Sequence, residues 1–131
     1  MSNASEITSA MKDVIAILKA RNETLSTAES ITGGGLGYAI TSVPGSSEIY
    51  VGGSIAYHSE IKQSHLGVSA DLIMSKTVYS EEVAFEMARG AREKFNTTWA
   101  IATTVSSTNR DRSAVRNSAN ATHGWCPSND H

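Results

Sequence analysis

Sulfur chemistry has almost no place in this chain. Cys126 is the single cysteine among 131 residues, so an internal disulfide is excluded. No metal-ligand spacing surrounds it, and such cysteine usage fits a reducing compartment, the cytoplasm. Charge of either sign is also scarce in surplus: the net charge is −2, with residues 1–104 at −3 and residues 105–131 at +1. That balance, without RNP, zinc-finger or arginine-rich patterns, excludes a nucleic-acid arm. No apolar run reaches membrane-spanning length, no signal peptide is visible, and no internal repeat is evident. Hydrophobic residues at 40% and charged residues at 18% are ordinary for one globular domain of this length.

What the chain does have is a glycine-rich turn. Leu25-Ser26-Thr27-Ala28-Glu29-Ser30-Ile31-Thr32-Gly33-Gly34-Gly35-Leu36-Gly37 begins as a strand-like run and ends as a helix start. Glycine lets backbone N–H groups approach a ligand, and a helix start adds unpaired donors. Such a turn suits an anion: a phosphate, or an oxyanion that forms during reaction. Ser30 stands where a nucleophile would stand. The plainer reading makes Ser30 or Thr32 the N-cap of the next helix. The common glycine-loop patterns do not fit. Leu36 replaces the P-loop lysine, Tyr38 and Ile40 replace the third glycine of G-x-G-x-x-G, and Ala28 breaks G-x-S-x-G.

In chain order, Ser2-Asn3-Ala4 reads as a cloning scar and is set aside. Ile7, Met11, Val14, Ile15 and Leu18 predict an amphipathic helix over 5–20. Thr24–Ala28 predicts a buried strand near the middle of a sheet. A helix over Leu36–Thr41 stops before the Pro44-Gly45 turn. Ser46–Tyr57 is strand-forming, with Gly52-Gly53 marking a bulge or a close backbone approach. Ser59 is the expected cap of a helix closed by Gly67, and Ala70–Met74 is a further helical piece. Ser80, Glu81 and Glu82 open a helix whose buried face holds Val83, Ala84, Met87, Ala88, Ala91 and Phe95. Thr98–Thr104 is β-like. Residues 105–131 turn polar, with Val105, Val115 and Trp125 as their large core-type residues, and read as a solvated, divergent tail. Strands interleaved with helices argue for a layered α/β domain over 5–104, its glycine turn at the carboxyl end of the sheet, where ligands bind.

Thr27-Ala28-Glu29-Ser30-Ile31-Thr32-Gly33-Gly34 resembles the TAES-x-TGG signature of the CinA C-terminal domain family (competence/damage-inducible protein A). Active members of that family are nicotinamide-nucleotide amidohydrolases. Val43-Pro44-Gly45-Ser46-Ser47 is similar to its VPGSS turn. Ala56-Tyr57-His58-Ser59-Glu60-Ile61-Lys62, followed by Leu66-Gly67-Val68, resembles its TY(S/D)xxxK and LGV segments. Val78-Tyr79-Ser80-Glu81-Glu82-Val83-Ala84 is similar to its VSEEVA helix start.

The resemblance implies a three-layer α/β/α sandwich lacking the family's last strands. It implies deamidation of nicotinamide mononucleotide to nicotinate mononucleotide and ammonia. No metal or organic cofactor is expected, and a cytoplasmic homo-oligomer is. Carried over by residue, Ser30 is the nucleophile, Lys62 the base and Tyr57 an assistant in proton transfer or orientation. Gly33 and Gly34 are oxyanion or phosphate donors, and Thr32, Ser46, Ser47 and Thr104 are phosphate or ribose contacts. Spacing alone would read Lys62 as a surface lysine and Tyr57 as an edge aromatic. Glu29 is open between an acceptor behind the site and a buried, paired carboxylate. After Thr104 the family's TG(I/V)AGP segment is replaced by Val105-Ser106-Ser107-Thr108-Asn109-Arg110. That departure keeps a second reading open: a catalytically silent nucleotide-binding or protein-interaction module of the same fold.

Overall fold

The computed structural model describes residues 2–76 and 81–104. In order they form α1 (Ser2–Arg21), β1 (Leu25–Glu29), α2 (Gly35–Thr41), a 3-10 turn (Ser46–Glu48), β2 (Tyr50–Ile55), α3 (Ser59–Leu66), α4 (Ala70–Lys76), α5 (Glu81–Phe95) and β3 (Trp99–Thr103). The strands make one parallel sheet in the order β2-β1-β3. The expected central strand is therefore β1, and all five of its residues are buried. Parallel strands joined by helices need cover on both faces, and the burial of β1 reflects that. The helix α1 starts at Ser2, so residues 2–4, set aside above, are helical. The expected cap Ser80 and the polar tail lie outside the described residues.

Two apolar clusters fill the space on either side of the sheet. On one face Met11, Ile15 and Leu18 of α1 meet Leu25, Ile40, Val43 and Ile49. On the other, Val83, Met87, Ala88 and Ala91 of α5 meet Ala28, Ala56, Leu66, Val68 and Ala102. The described residues thus form the helix–sheet–helix layering that the sequence predicts.

The register of β2 carries an irregularity. Leu25 pairs with Tyr50 but Ser26 pairs with Gly52, which leaves Val51 as an extra residue. The bulge reverses the strand's faces, so Tyr50 and Gly53 both turn toward α2. At Gly53 an added Cβ would stand 2.2 Å from Thr27 Oγ1 and 2.7 Å from Tyr50 Oη. Both meanings of the Gly52-Gly53 pair, bulge and close approach, are present.

The cap of α3 differs from the expected one. His58, not Ser59, is the N-cap, and its Nδ1 accepts from the Glu60 amide at 3.2 Å. Gly67 closes the helix in the left-handed conformation at φ 68, as expected. Beside it α5 comes close: a Cβ on Gly90 would lie 1.9 Å from the Leu66 carbonyl oxygen. Only a glycine lets α5 approach the end of α3 at this distance.

Gly90→Ala is expected to destabilise the domain by about 3 kcal/mol, because backbone must move to admit the methyl. Gly52→Ala, whose Cβ would meet the Phe95 ring at 3.4 Å, is expected to stay within about 1 kcal/mol of the parent. Urea melts of the two variants check the contrast.

Candidate active site

The site is built where β1 ends. Along β1 alternate side chains face opposite layers. Leu25 packs into the α1 cluster and Ala28 into the α5 cluster. Glu29 turns toward α2, and Ser30, one residue on, turns toward α3. There Lys62 Nζ lies 3.0 Å from Ser30 Oγ. The same Nζ donates to the Tyr57 carbonyl at 3.1 Å.

Lys62 is only 2% exposed. No ion pair to it exists among the described residues. Burial therefore lowers its amine below the ordinary lysine value, with no carboxylate to restore the charge. A buried, unpaired amine on a serine hydroxyl is an arrangement able to take the hydroxyl's proton. The surface-lysine reading of position 62 is overturned, because α3 presents Lys62 and Leu66 on its inward face.

Tyr57 enters differently from the expectation. Its backbone oxygen holds Lys62, while the residue as a whole is 71% exposed. Thr104 is buried directly after Thr103, whose carbonyl accepts from the Ser30 amide at 3.1 Å. It therefore sits beside the Ser30 turn. Thr32 is there too, with its hydroxyl on Glu29 Oε1 at 2.7 Å and on Thr103 Oγ1 at 2.8 Å.

The glycine turn is not arranged as an open anion cradle. Neither Ser30 nor Thr32 caps α2: the N-cap is Gly34, at φ 107, with no side-chain cap bond. The first amides of the helix are filled from inside. Glu29 Oε1 accepts from Leu36 N at 2.7 Å, and Oε2 accepts from Gly37 N at 3.0 Å. A carboxylate already neutralises this helix end, and it would repel a phosphate there. Gly33 donates its amide to the Ser30 carbonyl at 3.2 Å, closing the turn. The Gly34 amide donates to no group among the described residues, so of the two glycines it is the one with a donor to offer.

Ser46 and Ser47 are not brought to Ser30. The helix α2 runs back from the carboxyl end of the sheet, and β2 then starts beside Leu25, where the Leu25 amide donates to the Ile49 carbonyl at 2.8 Å. The VPGSS turn lies at the amino end, against α1 and α2, with Val43 and Ile49 in the core. Within one chain these two serines lie at the opposite end of the sheet from Ser30.

Comparison with known proteins agrees with this architecture. The sequence model of the family described as CinA C-terminal domain matches residues 7–119. The chain belongs to the CinA C-terminal domain family. The matched span runs past Thr104, so the family likeness extends further than the ordered motifs do. A CinA-like protein of Parasynechococcus marenigrum is 49% identical over 89 residues, which are 68% of this chain and 21% of that protein. A CinA-like protein of Synechococcus elongatus is 47% identical over 89 residues, again 68% of this chain and 21% of that protein. The chain thus spans about a fifth of the length of the curated relatives it matches.

Among solved structures, a competence/damage inducible protein from Agrobacterium tumefaciens superposes with a TM-score of 0.73 at 31% identity, covering 75% of this chain and 59% of that one. A competence-damaged protein (CinA) superfamily protein from Escherichia coli gives 0.71 at 34%, covering 77% and 57%. No helix among the described residues is long and apolar enough to cross a membrane.

Thr103 escaped the sequence reading, although it binds both Ser30 and Thr32. Its signal was the parallel register, which sets Thr103 opposite Glu29; no local pattern in Trp99–Thr104 carries it.

Desolvating the Lys62 amine costs folding free energy that an apolar side chain of similar length would not cost. Lys62→Met is expected to raise the stability of the domain by about 1 kcal/mol. An increase in melting temperature checks it, and a decrease would mean that the Ser30 and Tyr57 bonds outweigh the desolvation.

Proposed function

We propose that the protein is an amidohydrolase of pyridine mononucleotides, releasing ammonia from nicotinamide mononucleotide and leaving nicotinate mononucleotide. One observation supports this above the others: the Lys62 amine, buried and without a carboxylate partner, lies 3.0 Å from Ser30 Oγ. Family membership is consistent with this reaction class.

With the amine neutral, Ser30 O–H donates to the Nζ lone pair. Lys62 takes that proton as Oγ attacks the carboxamide carbon, and the carbonyl π electrons move to oxygen. The Gly34 amide, which has no acceptor among the described residues, is a candidate backbone donor for that oxyanion. As the tetrahedral adduct collapses, the C–N bond breaks and Lys62 returns the proton to nitrogen, so ammonia leaves and an acyl-serine remains. Water then attacks the ester, Lys62 accepts its proton and delivers it to Ser30 Oγ, and the carboxylate departs. The Tyr57 carbonyl keeps Nζ aimed throughout. Thr32 and Thr104 line the same turn as candidate ribose or phosphate contacts. The reading needs neither metal nor organic cofactor, and it expects a cytoplasmic homo-oligomer with no nucleic-acid partner.

The second reading, a nucleotide-binding module without turnover, is favoured by the replacement of the family's glycine-rich segment after Thr104 with Val105-Ser106-Ser107. Ammonia release from nicotinamide mononucleotide, run beside binding of nicotinate mononucleotide, separates the two.

Ser30→Ala is expected to lower kcat/KM about a thousandfold or more, with the melt unchanged. Binding without ammonia release from the parent chain would instead select the second reading.

The pH profile is a further expected outcome. Lys62 works as the neutral amine, so activity rises as pH rises and the proton leaves. Because burial lowers the amine, the acid limb is expected to have its midpoint below about 10.4, the value of a free lysine. A midpoint at or above that value in a kcat/KM profile would remove Lys62 as the base.

A further inference from the structure

We propose that Glu29 is a positioning residue for the Ser30–Lys62 pair, acting through the turn that it ties down rather than through its charge; this rests on the reading of Ser30 as the nucleophile. Glu29 is 3% exposed and has no cationic partner among the described residues. Buried carboxylates are ordinarily paired with a cation. Here three donors replace it, the Thr32 hydroxyl and the Leu36 and Gly37 amides. All three come from the loop and helix that follow Ser30.

The proton directions can be worked out from the carboxylate outward. An ionised carboxylate only accepts. Thr32 therefore spends its hydroxyl proton on Glu29 Oε1. In the contact between the two threonines, Thr103 must then be the donor and Thr32 the acceptor. The Thr103 oxygen keeps a lone pair, and the Ser30 amide donates to it at 3.4 Å as well as to the Thr103 carbonyl at 3.1 Å. A directed chain thus runs from Thr103 through Thr32 to Glu29. It holds the Ser30 backbone to β3 on one side and the turn to α2 on the other. Among the described residues the Ser30 hydroxyl has no anchor other than Lys62, so its Cα–Cβ direction is set by this chain.

Glutamine at position 29 keeps one acceptor oxygen and turns N–H donors toward an amide donor, so at least one bond of the three is lost. The charge itself has little leverage on the base, since burial is what lowers Lys62. Positioning and charge therefore give different signatures.

The test compares the full chain with Glu29→Gln, Thr32→Val and Thr32→Ser. It reads the Ser30 Oγ–Lys62 Nζ distance in crystal structures, and the rate at which a fluorophosphonate labels Ser30 across pH. In Glu29→Gln the separation is expected to open beyond roughly 3.5 Å. Labelling is expected to slow about tenfold or more, with the acid limb at its parent pH. Thr32→Val is expected to slow labelling as Glu29→Gln does, and Thr32→Ser, which restores the hydroxyl, to recover rate relative to Thr32→Val. A distance still near 3.0 Å in Glu29→Gln overturns the proposal, as does an acid limb displaced to lower pH at unchanged distance, the mark of a charge effect. If the parent chain is not labelled at all, the nucleophile reading fails, while the distance in Glu29→Gln still decides positioning. Should Glu29→Gln not fold, Thr32→Val decides by the same distance, because it leaves the carboxylate and both amide bonds in place.

Discussion

The constraint on which the rest depends is the complete burial of β1. A strand with neighbours on both edges and helices on both faces has no free face for a polar group. Each hydroxyl and carboxylate on it must find a partner from one layer or the other. Ser26 bonds Thr97, Thr27 bonds Tyr50, Glu29 bonds the start of α2, and Ser30 meets Lys62. The strand's alternation then does the sorting. Glu29 and Ser30 are neighbours in the chain, yet one holds the α2 layer and the other faces the α3 layer. Support and chemistry are separated by the pleat of one strand.

A second consequence is a conflict between stability and use. The amine of Lys62 is desolvated, and so is the hydroxyl it faces. Burying a cationic group without a counter-charge still costs several kcal/mol after relaxation. The surrounding apolar cluster of Ala28, Ala56, Leu66 and Ala102 is what sustains that cost. The close seat of α5 on α3 at Gly90 belongs to the same arrangement, because it keeps α3 pressed inward.

Much of this was legible in the sequence. Periodicity gave α1 and α5 within a few residues, and the apolar–hydroxyl run at 24–28 gave the central strand. The glycine turn at the carboxyl end followed from strand-then-helix order. The placement of Lys62 beside Ser30 was suggested by family resemblance alone, since spacing placed it on a solvent-facing helix. What local pattern could not show were contacts made across the sheet. Thr103 became part of the turn only through its register with Glu29. The same limit applies to Ser46 and Ser47, whose motif suggested a substrate contact although α2 carries the chain back to the far end. The cap of α2 was misjudged for a related reason: the group that satisfies its amides is a carboxylate from the preceding strand, not a hydroxyl within the loop.

The bond from Lys62 Nζ to the Tyr57 carbonyl spans five residues of one continuous segment. The Lys62 amine is thus held by its own stretch of chain as well as by Ser30. Residues 57–62 behave as a cassette whose internal length is fixed: one residue more or fewer would rotate the amine about a quarter turn around α3 and away from Ser30. The turn at 42–48 makes no such internal bond to the site. Length is therefore constrained between Tyr57 and Lys62 in a way that it is not at the amino end of the sheet, so the spacing of those two residues is as much a part of this arrangement as their identity.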